Sequence, residues 1–301
     1  MKRKSILAAA TALAVVAAGV ITGVAVTARS ASAALSDVPK DCSISTSAYR
    51  SDGQRLLYRY AGGTTSTRQI AGDKLGWVPT ALDTFLSSGS SASFMDSSLA
   101  THPTDGYVYY IKRSAEQVDG AWRITSLTVT RVRSGFAGTR AITMAWTAAS
   151  PYFYRLAGNY LYRHTLTFVD GQPQISAGVQ LPGSTWNTVN TLKYQRTVGT
   201  GSAAVDVLIG TKANGELKQW RINYASPATY SSLVLRASGW GSFTSINAWA
   251  ACDEHPRGRV LLGIKATGAA SVHFDADQYD GDGSDIKGGS LGLLGWTAKA
   301  Y

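Results

Sequence analysis

The pattern of apolar and polar positions is that of a β protein. Alternating or β-branched runs recur at Arg55–Tyr60, Tyr107–Lys112, Arg123–Val132, Tyr160–Phe168, Val205–Gly210, Leu217–Ile222, Ser232–Leu235 and Val260–Ile264, each of strand length. Turn signals separate them, among them Asp52-Gly53, Asp105-Gly106, Asp119-Gly120, Asp170-Gly171 and Asn214-Gly215. No stretch from residue 34 onward carries the period of a surface helix, so the fold class is all-β.

Two short marks repeat through this background. The first is a short fragment at Leu57-Tyr58-Arg59-Tyr60, Val108-Tyr109-Tyr110-Ile111, Leu161-Tyr162-Arg163-His164, Leu217-Lys218-Gln219-Trp220 and Val272-His273-Phe274-Asp275, so its leading apolar residues are almost evenly spaced. Each copy follows a glycine closely: Gly53, Gly106, Gly158, Gly215 and Gly268. The second mark is a glycine shortly before an aromatic: Gly76-Trp77, Gly135-Phe136, Gly183 with Trp186, Gly239-Trp240 and Gly295-Trp296. Each aromatic follows its partner fragment in constant order and at a similar distance.

A period of this size holds four short strands with their turns, which is the size of a propeller blade. Five copies of each mark predict a five-bladed β-propeller over residues 45–301, with inner strands near 81–86, 141–146, 189–194, 246–251 and 297–301. The chain enters mid-blade and finishes on a strand of the kind that begins one. The expectation is therefore a ring closed by the C-terminal strand, which completes the first blade and leaves no free sheet edge there. Residues 34–44 read as a short tether.

Residues 1–33 run from Lys2, Arg3 and Lys4 through an Ala/Val/Ile-rich stretch to Ala31-Ser32-Ala33, the layout of a cleaved signal peptide. The apolar run is also long enough to be retained as a membrane anchor, which is the competing reading. Cleavage makes the product secreted and extracellular, with no membrane contact. Losing Lys2, Arg3, Lys4 and Arg29 and no acid lowers the formal charge from +10 to +6. The remaining excess forms no Lys/Arg run that would follow a phosphate backbone, so nucleic acid is not an expected partner. Cys42 and Cys252 are the only cysteines, and in an exported chain they are expected to form a disulfide joining the chain's start to its last repeat.

With Gly76-Trp77, Gly239-Trp240, Leu57-Tyr58-Arg59-Tyr60 and Leu161-Tyr162-Arg163-His164, the sequence resembles the tachylectin-2-like β-propeller lectins over about residues 45–301. The resemblance implies a non-catalytic lectin binding N-acetylated sugars at equivalent sites between blades. The copies at 217 and 272 lack the Tyr-Arg pair. An aromatic face covers the apolar C–H face of a pyranose while polar groups satisfy its hydroxyls. The candidate platforms are Trp77, Phe136, Trp186, Trp240 and Trp296, with Arg59 and Arg163 orienting ligand oxygens; the bland alternatives are inter-sheet packing for the aromatics and cross-strand pairing for the arginines. The expected partners are glycans or cell-wall polysaccharide, with an extracellular protein held on the propeller face as the alternative. A propeller glycosidase would need two carboxylates flanking a sugar bond, for which Asp83, Asp253 and Glu254 are the acids near inner strands. No cofactor is expected. Asp277, Asp280, Asp282 and Asp285 form an acidic, glycine-containing stretch that offers oxygen ligands to calcium, but no phase of it reproduces an EF-hand loop.

Overall fold

In the computed structural model, residues 34–147, 150–183, 185–248, 250–295 and 298–301 are described. The expected signal segment 1–33 and the candidate platform Trp296 lie outside them. Residues Ala33–Tyr301 form one compact unit.

The alternating runs become antiparallel meanders. In the first, β1 (Cys42–Tyr49), β2 (Gln54–Ala61) and β3 (Thr64–Lys74) lie in order. The second contains β4 (Ala81–Gly89), β5 (Ser93–Thr101), β6 (Tyr107–Val118) and β7 (Ala121–Ser134). A single parallel bridge, Ala71 to Arg123, touches the outer edges of these two together. The third contains β8 (Thr139–Thr147), β9 (Ser150–Ala157) and β10 (Tyr160–Val169), with β11 (Gln172–Ile175) and β12 (Val179–Gln180) both pairing with β10. The fourth is β13 (Lys193–Val198), β14 (Val205–Thr211), β15 (Leu217–Asn223) and β16 (Ser231–Arg236). After β17 (Phe243–Asn247) the chain makes β18 (Ala250–Cys252), then β19 (Arg259–Lys265), β20 (Ala269–Asp275) and β21 (Lys287–Leu293), and ends with β22 (Lys299–Ala300). The last meander is ordered β17-β19-β20-β21.

Each copy of the first mark occupies the same place. It lies on β6, β10, β15 and β20, the third strand of each of the later meanders, and on β2, which is third in the first meander when β22 is counted beside β1. The glycines before these strands all have positive φ, between 55° and 97°. At Gly53 the reason is close approach: a Cβ there would sit 1.9 Å from the Leu75 carbonyl oxygen. That approach also explains why the two marks travel together. The carbonyls of Gly53, Gly106, Gly215 and Gly268 accept hydrogen bonds from the N–H of Leu75, Phe136, Trp240 and Leu294, each in or beside the Gly-aromatic element that follows. Two elements well separated in sequence are thus one hydrogen-bonded corner in space.

Five apolar clusters hold the meanders face to face. Tyr49, Leu82, Ala100 and Ile111 pack between the first and second, and Leu99, Val108, Ile142 and Phe153 between the second and third. Leu161, Tyr154, Leu208 and Ile222 join the third and fourth; Ile209, Leu217, Ile246 and Leu261 join the fourth and the last. Ile44, Tyr60, Val260 and Val272 then join the last meander back to the first.

At that junction β1 is met along one edge by two short strands. Cys42–Ile44 pair with β18 and Ala48–Tyr49 with β22. The disulfide Cys42–Cys252 is present, across the β1–β18 pair. The expected inner strands at 81–86 and 141–146 fall within β4 and β8. The one expected at 246–251 is divided: β17 stays with the last meander, while β18 crosses to β1, drawn by the disulfide and by the Asn247 amide donating to the Ser45 carbonyl at 2.5 Å. The one expected at 189–194 starts only at Lys193, because Trp186–Thr188 form a short 3-10 turn and the Thr191 and Thr211 hydroxyls bond each other at 2.9 Å. Nor are residues 34–44 a free tether. Val38 is buried, and Leu35 packs on the cluster that contains Val272 and Phe274.

Candidate functional site

Each described Gly-aromatic element packs against strands of the next meander, and burial separates them. Phe136, Trp186 and Trp240 are only 2%, 2% and 5% exposed. Phe136 lies against Phe153 and His164, Trp186 against Trp220 and Tyr230, and Trp240 against Phe243 and His273. Their faces are covered by protein, which leaves none free for a pyranose; these three are packing residues. Trp77 is different. It is half-buried, with its ring 5.2 Å from Tyr109 and 4.8 Å from His102.

Polar groups converge beside Trp77. The hairpin between β5 and β6 carries Asp105, whose carboxylate accepts from the Tyr109 hydroxyl at 2.5 Å, from the Tyr107 N–H at 2.9 Å and from Arg131 at 3.3 Å. Arg131, exposed on β7, also donates to the Tyr109 hydroxyl at 3.1 Å and lies 4.5 Å above the Tyr107 ring. Burial alone would raise the Asp105 carboxyl, but the bonds from Tyr109 and Tyr107 outweigh it and hold the group below its ordinary value. Burial, reinforced by Asp105, pushes the Tyr109 hydroxyl up. An anionic acceptor and a cationic donor are thus fixed on the hydroxyl of Tyr109, whose ring lies against the partly exposed Trp77.

The next meander carries a shallow depression. Gly135 and Ala137 on one side and Arg155, Asn159, Tyr160 and Tyr162 on the other line it. Arg155 is locked there by bonds to the Thr139 hydroxyl at 2.7 Å and the Ala137 carbonyl at 3.0 Å, with its guanidinium 4.6 Å over Phe136 and 5.6 Å from Tyr162. Neither Asp105 with Arg131 nor Arg155 carries a periodic signal, so sequence reasoning missed them; the turn signals Asp105-Gly106 and Gly158-Asn159-Tyr160 mark their hairpins.

Arg163 is structural. Its guanidinium donates to the Asn223 and Tyr224 carbonyls and stacks 4.3 Å over Tyr152, tying the third meander to the fourth. Arg59 is exposed on β2 and reaches a separate cleft between the first two meanders. This cleft, a cavity of about 420 Å3, extends inward to Asp83 of β4 and Lys193 of β13. Below it lies a buried ion network: Arg55 meets Asp96 at 2.6 Å, and Arg113 meets Asp73 at 2.8 Å and Asp96 at 3.1 Å while donating to the Tyr49 hydroxyl. Breaking one member of such a set strands a buried charge, so the network fixes the two meanders' relative position.

Of the acids considered for glycoside hydrolysis, Asp83 is engaged by Lys193 at 2.5 Å, the Met144 N–H at 2.7 Å and the Thr143 hydroxyl at 3.1 Å. It serves as a three-way tie among β4, β8 and β13. Asp253 and Glu254 lie on an exposed turn, where the Glu254 N–H donates to Asp41. In the acidic stretch, Asp277 pairs with Arg257 at 2.5 Å, Asp280 and Asp282 accept from nearby N–H groups, and Asp285 accepts from the N–H of Ala276 and Asp277. Among the described residues no three His, Cys, Asp or Glu side chains are gathered as a metal site, and these four aspartates act as turn acceptors.

No protein-family model matches the sequence, and no curated protein matches it. Solved structures do show likenesses. The fungal lectin of Aleuria aurantia, a six-bladed β-propeller with a fucose recognition mode, is 13% identical with a TM-score of 0.42, covering 84% of this chain and 76% of the lectin. A triple mutant of AofleA from Arthrobotrys oligospora is 9% identical with a TM-score of 0.43, covering 86% of this chain and 70% of that one. A Bacteroides fragilis protein assigned as a 6-phosphogluconolactonase is 8% identical with a TM-score of 0.36, covering 84% of this chain and 95% of that one.

Proposed function

We propose that this chain is a secreted, non-catalytic carbohydrate-binding protein, built as a five-bladed propeller whose ring is closed where β22 and β18 meet β1. The tachylectin-like marks, the disulfide and the signal-like segment 1–33 support that reading. The single observation that carries the binding function is the partly exposed Trp77 ring beside the Asp105–Tyr109–Arg131 group. Part of the indole remains exposed near Tyr109, Asp105 and Arg131, so a sugar ring gains an apolar seat while its hydroxyls or N-acetyl carbonyl meet a fixed acceptor and a fixed donor. One shallow site of this kind binds weakly. The Arg155–Tyr162 depression on the neighbouring meander supplies a second, and two sites on one rigid body engage a cell-surface polysaccharide with an avidity gain of about a hundredfold.

The test is a glycan array that includes N-acetylated oligosaccharides, run on the wild type and on Trp77→Ala and Arg131→Ala. Both side chains are partly or fully exposed, so the variants should fold. The expected result is retention of a defined glycan by the wild type and a drop of about tenfold or more in each variant, the size of one charge-assisted contact. Retention that neither change touches would remove the assignment at Trp77. A stoichiometric protein captured in preference to every glycan would replace it with a scaffold function.

A further inference from the structure

We infer that the cleft between the first two meanders is a second saccharide site, selective for acidic sugars, and distinct from the Trp77 site; it rests on the carbohydrate-binding reading above. The strand register builds it. Ser45 stands opposite Arg59 and Ser47 opposite Leu57 across β1 and β2, while Arg59 stands opposite Ser66 and Leu57 opposite Arg68 across β2 and β3. Directly opposed residues and residues two apart share a face, so these six side chains form one grid. All six line the 420 Å3 cavity, and Leu86 and Phe94 of the second meander stand across it. The volume suits a small ligand.

Charge selects which ligand. The cavity is lined by four cationic side chains, Arg55, Arg59, Arg68 and Lys193, against two carboxylates, Asp83 and Asp96. Both carboxylates are already paired, Asp96 with Arg55 and Arg113, and Asp83 with Lys193. Arg59 and Arg68 have no carboxylate in ion-pair distance among the described residues, and Arg68 lies 5.1 Å over the Trp122 ring. Two guanidiniums are left to take one carboxylate or sulfate ester, for which their planar fork is suited. The hydroxyls of Ser45, Ser47, Ser66 and Ser87 make no hydrogen bond to protein among the described residues and are available to sugar hydroxyls. Leu57, Leu86 and Phe94 give the apolar surface a pyranose C–H face requires. A ring with several hydroxyls and one acidic substituent satisfies all three sets of groups; a bare anion leaves the serines and the apolar wall unused.

Calorimetric titration of the purified full chain with trigalacturonate, with glucose 6-sulfate and with neutral cellotriose tests this. At least one acidic saccharide should bind about tenfold or more tightly than cellotriose, weaken as ionic strength rises, and lose most of its affinity in Arg59→Gln/Arg68→Gln, both exposed positions, while Trp77→Ala leaves it unchanged. Which acid binds identifies the substituent. Equal binding of neutral and acidic ligands, or acidic binding that survives the double substitution, overturns the inference. If neutral glycans bind through Trp77 and no acidic saccharide binds, the inference fails and the function proposed above stands. If no saccharide binds anywhere, both fall.

Discussion

His164 shows what burial does to a titratable residue in this molecule. It is 4% exposed, stacked 4.7 Å from Phe153 and tilted against Phe136 at 5.1 Å, with Nδ1 bonded to the Ser176 carbonyl at 3.2 Å. Burial, aided by the charges of Arg155 and Arg133, outweighs the Ser176 bond and lowers its pKa from 6.5 to about 4. The folded protein therefore holds it neutral where the unfolded chain would protonate it. Stability from this residue is complete above pH 6.5 and declines as pH falls toward 4, by about 3 kcal/mol over the window. Denaturant unfolding at pH 7 and pH 4.5 should show that decline, and His164→Gln should flatten part of it; an unchanged slope in the variant would refute the coupling. The remaining slope includes His273, which burial also lowers to about 4.

For the strands, what could be read in advance depended on what each one faces. β2 presents one face to an apolar cluster, so Leu56-Tyr58-Tyr60 stands out as alternation, whereas β10 and β15 meet a different cluster with each face: Leu161 and Leu166, and likewise Leu217 and Ile222, lie five residues apart on opposite faces. β3 begins Thr-Thr-Ser-Thr-Arg-Gln and is exposed on both faces over that stretch, because it is an outer strand; nothing there alternates. β1 is largely buried yet reads Cys-Ser-Ile-Ser-Thr-Ser, its polar side chains facing the cleft and the β22 seam, where the Thr46 hydroxyl donates to the Tyr301 carbonyl. The hairpin corners were visible only as glycines. Their necessity is testable by a pair of substitutions. Gly53 and Gly63 have φ of +83° and +84°, but a Cβ at Gly63 meets nothing within 4 Å while one at Gly53 meets the Leu75 backbone. Gly63→Ala should cost about 1 kcal/mol in thermal or denaturant unfolding, the conformational penalty alone. Gly53→Ala should cost at least about 2 kcal/mol more, since backbone must move; equal costs would show that the corner does not matter.

Across the whole molecule, repetition was legible and pairing chemistry was not. Period and phase in the two marks pointed to the meanders and to a returning C-terminal strand, because both are carried by local turns. The Arg55–Asp73–Asp96–Arg113 network joins positions far apart in sequence on different strands and has no local pattern to betray it. Trp77 shares that property: it carries the same glycine-aromatic mark as Phe136, Trp186 and Trp240, and only tertiary packing separates it from them. The disulfide acts at this scale too, closing a sequence separation of 210. Cys42→Ser/Cys252→Ser should lower stability by up to about 5 kcal/mol on the chain-entropy account and should selectively weaken hydrogen-exchange protection of β1 and β18. Uniform loss of protection over all meanders would show that the bond does not act at the seam.

The divided edge of β1 also governs the order of assembly. β1 is among the first strands synthesised, yet its partners on that edge, β18 and β22, lie toward the opposite end of the chain. While the chain emerges, the later meanders can pair locally, hairpin by hairpin, but that edge of β1 keeps unmet backbone groups until β18 and β22 have been made. Pairing of that edge closes the longest loops among the described strand pairs, so its closure entropy exceeds that of any local hairpin.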